Sequence, residues 1–477
     1  MGETISADLC VIGAGAGGLS VAAGAAQLGR KVVLIEKGAM GGDCLNAGCV
    51  PSKALLAAAS RAAAVRNVGE FGIRASAPEI DFPAVMDHVH CVIAAIAPHD
   101  SQERFEGLGV RVIRAHATFT GPRSVEAGGA VVKAKHFVIA TGSSPAVPPI
   151  DGIAQTPFFT NETIFENRKR PERLVILGGG PVGVEMAQAH QRLGSQAVLI
   201  EQDTILNRDD PELVGVLRDA LVSEGVDIRE NARAIRARPS PRGVEVDYDD
   251  RNDGAGLKTV QGSHLLVAVG RRANVDGLNL AAAGVETNER GVAVDDRLRT
   301  ANKRIYAIGD VIGGPQFTHT AGYHASIVIR NILFKAPAKN RDALSPRVTF
   351  CDPELAQAGL TEQAAREKGY KISVARWPFA DNDRAQAERE TAGFVKVVTK
   401  ENGRILGAAV VGGNAGDLIQ PWALAIAGNL GVKAFKDYIA PYPTRGEASK
   451  RAAGAWYAPM LFSGRTKALV SLLSILD

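Results

Sequence analysis

Cysteine is scarce in this chain, with five in 477 residues. A secreted disulfide framework needs a far denser set, so that class is excluded. Charge excess is nearly absent as well. Basic residues number 55 against 51 acidic ones, a net charge of +4. The basic residues are scattered, so nothing points to nucleic acid as a partner. Long apolar runs are missing too. The longest late one, Ala468 to Leu476, is too short to span a bilayer. The N-terminal segment enters a strand-like run, Ala7 to Ile12, with neither a charged leader nor an apolar signal core. A reducing, cytoplasmic setting is therefore expected. What remains is ordinary globular composition, 46% hydrophobic and 22% charged. A chain of this length is expected to form about two to four domains.

The first informative stretch is "DLCVIGAGAGGLSVAAGAAQLGRKVVLIEK". It reads as an apolar strand, then Gly13-x-Gly15-x-x-Gly18, a small-residue helix, and a second strand ending at Glu36. The glycines permit a tight turn and close approach of backbone to a pyrophosphate, and the helix N-terminus supplies amide donors. A carboxylate at Glu36 can accept from a ribose diol. The unit recurs as "RLVILGGGPVGVEMAQAHQRLGSQAVLIEQ", with Gly178, Gly180 and Gly183. Glu201 lies as far from Gly178 as Glu36 does from Gly13. Two dinucleotides, or one duplication with a single live site, are implied. Glu201 would repel a 2′-phosphate, which favours NAD, with NADP as the alternative because Arg208 follows closely.

Short strand-plus-turn signatures follow each unit. "HFVIATGSSP" contains Thr141 and Gly142, "HLLVAVGRRAN" contains Gly270, and "RIYAIGDV" ends an apolar strand at Gly309-Asp310. Asp310 can bind a sugar hydroxyl or cap the next helix. From residue 346 the texture becomes α+β, with a hairpin turn at Asn402-Gly403 between two strands. The fold class expected is α/β, with two Rossmann-like dinucleotide-binding domains and a C-terminal α+β domain.

"MGGDCLNAGCVPSK" holds Cys44 and Cys49 in a glycine-rich loop that runs into a helix. The pattern GG-x-C-x-N-x-G-C-V-P-S-K, the two nucleotide units, "ATG" and "AIGD" together resemble the FAD-dependent pyridine nucleotide–disulfide oxidoreductases. This family includes dihydrolipoamide dehydrogenase, glutathione reductase and mercuric reductase. The resemblance covers essentially the whole chain. It implies an FAD-binding domain in two parts, 1–148 and 272–345, an NAD(P)-binding domain at 149–271, and a dimerisation domain at 346–477. Homodimers with a shared active site are implied. FAD would sit on the first unit and NAD on the second.

By the same resemblance the two thiols form a redox-active disulfide. No further Cys or His stands at zinc-ligand spacing, so no metal site is assigned. Cys49 would lie against the flavin and Cys44 would exchange with substrate. The remaining cysteines, Cys10, Cys91 and Cys351, are expected to be inert packing residues. Lys53 and Glu185 would form an ion pair by the flavin N5. Asp310 would touch the ribityl chain. The helix that His319 opens would point at the N1/C2 edge. Pro181 stands where glutathione reductase has an aromatic gate.

The pattern breaks near the C-terminus. Family members acting on thiols carry "HPT…E", supplied by the partner subunit. Here the stretch is "APYPTRGEASK": Pro443, Thr444 and Glu447 match, but Tyr442 replaces the histidine. A phenol with a pKa of roughly 10 is a poor base at neutral pH. Mercuric reductase also has tyrosine here, but carries a C-terminal cysteine pair, and no cysteine follows Cys351. The expected activity is electron transfer from NAD(P)H through FAD and Cys44–Cys49 to a small-molecule or metal-ion acceptor, mercuric reductase-like. A dihydrolipoamide dehydrogenase-like activity is the alternative, and a flavin redox sensor is the rival of another class. The tail "KRAAGAWYAPMLFSGRTKALVSLLSILD" reads as a helix packing at the dimer, with membrane or partner docking as the alternative.

Overall fold

The computed structural model describes residues 3–252 and 256–475. It separates into two compact units. One holds the chain up to Asp203 together with Val226–Asp342. The other holds Thr204–Gly225 together with the chain from Ala343 onward.

The first unit is built on a mixed sheet whose central strands are parallel, with Thr118–Gly121 and Ser124–Ala127 added antiparallel at one edge. Strand Thr4–Ile12 pairs in parallel with Val32–Ile35 on one side and Ala130–Ile139 on the other, and Ile305–Ala307 also pairs with Ala130–Ile139. Side chains alternate across a strand, and both faces here are covered. Leu9 and Val11 pack with Leu19, Ala22 and Val328 on one face. Cys10 and Ile12 pack with Phe137 and Ile139 on the other. That two-sided burial is why the strand reads as an unbroken apolar run.

A second sheet, parallel throughout, orders Asp227–Arg229, Gln196–Ile200, Arg173–Leu177 and His264–Val267. A three-stranded antiparallel sheet, Ala232–Ser240, Gly243–Asp250 and Leu257–Gly262, packs over it through Val246, Tyr248 and Val260. In both repeats a helix starts straight after the first parallel strand: Ala16–Gln27 and Pro181–Arg192.

The second unit has a five-stranded antiparallel sheet, with Phe394–Lys400 and Ile405–Gly412 joined at the expected hairpin. Val395 and Val397 face a core that also holds Trp422 and Phe435, whose rings stack 3.7 Å apart. Lys396, between those valines, points the other way. It is only 2% exposed and meets Asp210 at 2.7 Å and Glu212 and Glu362 at 3.0 Å. This charge cluster anchors the segment Thr204–Gly225 to the sheet. Cys10 and Cys351 are buried as expected, but Cys91 is not a packing residue. It is exposed on helix Phe82–Ile96, whose buried side is carried by Phe82, Met86 and Val89.

Candidate active site

The two nucleotide turns are superimposable in their chemistry. Gly13 and Gly178 take positive φ, 105° and 106°. A Cβ on Gly18 would sit 1.9 Å from the carbonyl oxygen of Gly13, and a Cβ on Gly183 would meet Gly178 at the same distance. Only glycine permits that closeness of helix and turn. Beside Gly15 and Gly180 the space is open. These two residues are N-caps without a side-chain cap, so the first amides of both helices stay available to an anion. Glu36 accepts from the amides of Ala14 and Gly38, both at 2.6 Å. Glu201 accepts from Gly179 at 2.6 Å and Asp203 at 2.9 Å. Each acid thus lies across its own phosphate turn, where a ribose would follow.

The cysteine loop rests against the first turn. A Cβ on Gly42 would come within 2.7 Å of the Gly15 Cα, so this contact also requires glycine. Asn46 donates to the carbonyls of Met40 and Gly42, at 3.0 and 2.8 Å, and folds the loop back on itself. Asn161 ties Asp43 and Ala47 together at 2.9 and 3.1 Å. Cys44 is half-buried and Cys49 is exposed; both are free thiols.

Cys49 is the first residue of helix Cys49–Asn67, and its Sγ lies 3.5 Å from the Thr318 hydroxyl. Thr318 is itself the first residue of helix Thr318–Ile332. Two helix N-termini therefore meet at one sulfur, which favours its anionic form. The Cys49 thiol is lowered to about 6 by the hydrogen bond from Cys44, with help from Thr318 and the Lys53 charge. The same coupling raises Cys44, which burial pushes further up. One thiolate and one thiol result.

Lys53 and Glu185 form the expected ion pair, Nζ to Oε2 2.8 Å, with Glu185 only 5% exposed. Asp310 sits in the short turn Gly309–Ile312 and accepts from the Ser143 hydroxyl at 2.6 Å. Burial raises its carboxyl above the usual range. Thr141 and Gly142 are fastened to Asn274: Thr141 Oγ1 donates to its carbonyl at 2.7 Å, and its amide donates to Gly142 at 2.9 Å. Gly270 takes φ 146° with open space beside it. His319 stacks on Phe317, 5.2 Å between ring centroids.

Two residues of this unit escape a sequence reading. Thr318 is one. Arg271 is the other: it donates to the hydroxyl and carbonyl of Ser143 at 2.7 and 2.8 Å and lies 3.3 Å from Asp43. It joins the cysteine loop to the Asp310 turn.

In the second unit Tyr442 is 68% exposed and its hydroxyl donates to Asp383 Oδ2 at 2.7 Å. That bond raises its phenol above the ordinary value. Glu447 is engaged by Arg451 at 2.8 Å. Asp383, not Glu447, holds the side chain at position 442.

The family model for pyridine nucleotide-disulphide oxidoreductases matches residues 7–325, and the model for the dimerisation domain of the same family matches 345–453. The chain belongs to the pyridine nucleotide-disulphide oxidoreductases. Members of this family are oxidoreductases that use FAD and NAD(P)H. The chain is 37% identical over 454 residues to a mercuric reductase of Streptomyces lividans, covering 94% of this chain and 95% of that one. It is 36% identical over 458 residues to a dihydrolipoyl dehydrogenase of Bacillus subtilis, covering 94% and 96%. Among solved structures, the Cu(II) complex of the HOCl-induced flavoprotein disulfide reductase RclA from Escherichia coli aligns with TM-score 0.82 and 28% identity, over 93% of this chain and 98% of that one. The uncapped cradle around Gly13, Gly15 and Gly18 fits the FAD that a member of this family carries. Among the described residues no helix is long and apolar enough to cross a membrane.

Proposed function

We propose that this oxidoreductase transfers electrons from NADH to a soft metal ion or other small acceptor, in the manner of a mercuric reductase. The observation that carries this is the pairing of Tyr442 with Asp383. A phenol already donating to a carboxylate, with its pKa raised, cannot take a proton from a substrate thiol near neutral pH. A metal held by thiolates needs no such base. The similarity to a mercuric reductase and to a reductase captured with Cu(II) supports the same reading.

When bound, FAD would accept the hydride of the pyridine nucleotide and pass its electron pair to the Cys44–Cys49 disulfide. Gly13, Gly15, Gly18 and Glu36 would hold its pyrophosphate and ribose, with Thr141, Gly142, Asp310 and His319 toward its other end. Gly178, Gly180, Gly183, Glu201 and Gly270 would hold NAD. Lys53 would present its charge at the hydride-accepting edge, kept in place by Glu185. Opening of the disulfide yields Cys49 as the resting thiolate, held by the Cys44 thiol and by Thr318. Cys44 then offers the exchanging sulfur to the acceptor. Residues 1–148 and 272–345 would form the FAD domain, 149–271 the NAD domain and 346–477 the dimer-forming domain. Tyr442 and Glu447 would serve the partner subunit's site in a cytoplasmic homodimer.

The test is an acceptor panel at fixed NADH and at fixed NADPH: lipoamide, oxidised glutathione, a mercuric thiolate and quinones. Fast reduction of the mercuric thiolate with NADH, and slow turnover of lipoamide and glutathione, is the expected result. Lipoamide as the best acceptor would overturn the reading.

A further inference from the structure

The last helix, Gly464–Leu473, has no buried residue. Leu469, Leu472 and Leu473 are 54%, 63% and 51% exposed, and just before them Met460, Leu461 and Phe462 are 56%, 57% and 68% exposed. All six are large apolar side chains more than half exposed within fourteen successive residues, a density that marks an interaction surface. Ala468, Leu469, Leu472 and Leu473 share one side by helical spacing, and Lys467, Ser471 and Ser474 share the other. Arg465 opens the side that Leu469 and Leu472 continue, and its long side chain can reach outward from it. This segment lies beyond the match to the dimerisation domain, which stops at residue 453.

Charge says what covers it. From Ala448 to Ile475 there is no Asp or Glu, while Lys450, Arg451, Arg465 and Lys467 are all basic. Those four equal the whole net charge of the chain, +4, so the rest is neutral. Arg451 is paired with Glu447; Arg465 and Lys467 are exposed at the start of the apolar helix. Pairing this tail with the same tail of a second copy would bring two acid-free basic segments together. An anionic lipid surface answers both features, taking the apolar side into the acyl boundary and the cations among the headgroups. We propose that the tail Met460–Ile475 docks the enzyme peripherally on an anionic membrane surface.

The experiment is co-sedimentation of the full-length, FAD-loaded protein with phosphatidylcholine vesicles, with and without phosphatidylglycerol. Binding is expected only when phosphatidylglycerol is present, and it should weaken as salt rises. Each basic residue near such a surface adds about fivefold to partitioning. The double change Arg465→Gln with Lys467→Gln should therefore weaken binding about 30-fold. Leu469→Ser with Leu472→Ser should abolish it. Both variants should keep the flavin absorbance and the sedimentation coefficient of the parent. Equal partitioning onto both vesicle types, or onto neither, overturns the proposal. So does dissociation of the dimer in the leucine variant, which would make this face a seam between copies.

Discussion

Replacing Cys44 isolates the interaction that most strongly shapes the site. Its thiol donates to Cys49, and this bond is the largest of the effects that bring Cys49 to about 6. A hydrogen bond to a charged group contributes ~1.5–3 kcal/mol, and a pKa unit corresponds to 1.36 kcal/mol. Cys44→Ala should therefore move Cys49 up by about one to two units, to about 7 or 8. The sign follows from the donor: the bond exists only to the thiolate, so its loss favours the thiol. At pH 7 the thiolate population should fall. Cys44→Ser keeps a donor at the same position and should shift Cys49 less. The assay is the long-wavelength absorbance that a thiolate gives beside oxidised flavin, titrated with pH in both variants. A Cys49 that still titrates near 6 in Cys44→Ala, or an equal shift in the two variants, would refute the reasoning.

Glu201→Ala should raise KM for NADH more than for NADPH, because the lost carboxylate accepts from a ribose diol and repels a 2′-phosphate; equal effects on both would count against NAD as the cofactor. Lys396→Met should cost about 3–5 kcal/mol of stability, since it leaves the buried Asp210 carboxylate without its cation, while Glu212 keeps Arg376 at 2.6 Å. Chemical denaturation would measure that loss, and an unchanged midpoint would contradict it. His190 is fully buried and held neutral, its pKa lowered to about 4 by desolvation. An unfolded imidazole titrates near ~6.5, so the stability this group contributes is complete above that value and is lost as pH falls toward 4. His190→Gln should flatten that limb of the curve of Tm against pH.

The nucleotide turns and the cysteine loop are legible in the sequence because their logic is local. Glycines, strand and helix follow one another within a single unit, and the duplicate repeats it down to the hydrogen bonds of Glu36 and Glu201. Lys53 with Glu185 needed the family resemblance, since 132 positions separate them. Thr318 was silent: it reaches Cys49 across 269 positions, and a threonine opening a helix carries no signal of that contact. Arg271 follows the noted Gly270, yet nothing local shows that it bridges Ser143 and Asp43. Tyr442 was visible as a departure, but its partner Asp383 was not. The pairing depends on how the loop returns to helix Asp383–Glu388, where Arg445 also meets Glu388 at 2.6 Å. Cys91 departs from expectation because a cysteine among apolar neighbours reads as buried, and only the helix's rotation reveals its exposed side.

The absence of a base at position 442 decides which acceptor this enzyme can serve. Tyr442→His should raise dihydrolipoamide oxidation at pH 7 by about 10²-fold, the low end of what a positioned general base contributes. Asp383, which accepts from the hydroxyl at this position, is the carboxylate on hand to orient the new ring. Reduction of a mercuric thiolate should gain nothing from the change. Steady-state kinetics of both proteins with both substrates is the direct measurement. A wild type that already oxidises dihydrolipoamide as fast as the histidine variant, with no preference for the mercuric thiolate, would contradict the claim and place the base elsewhere.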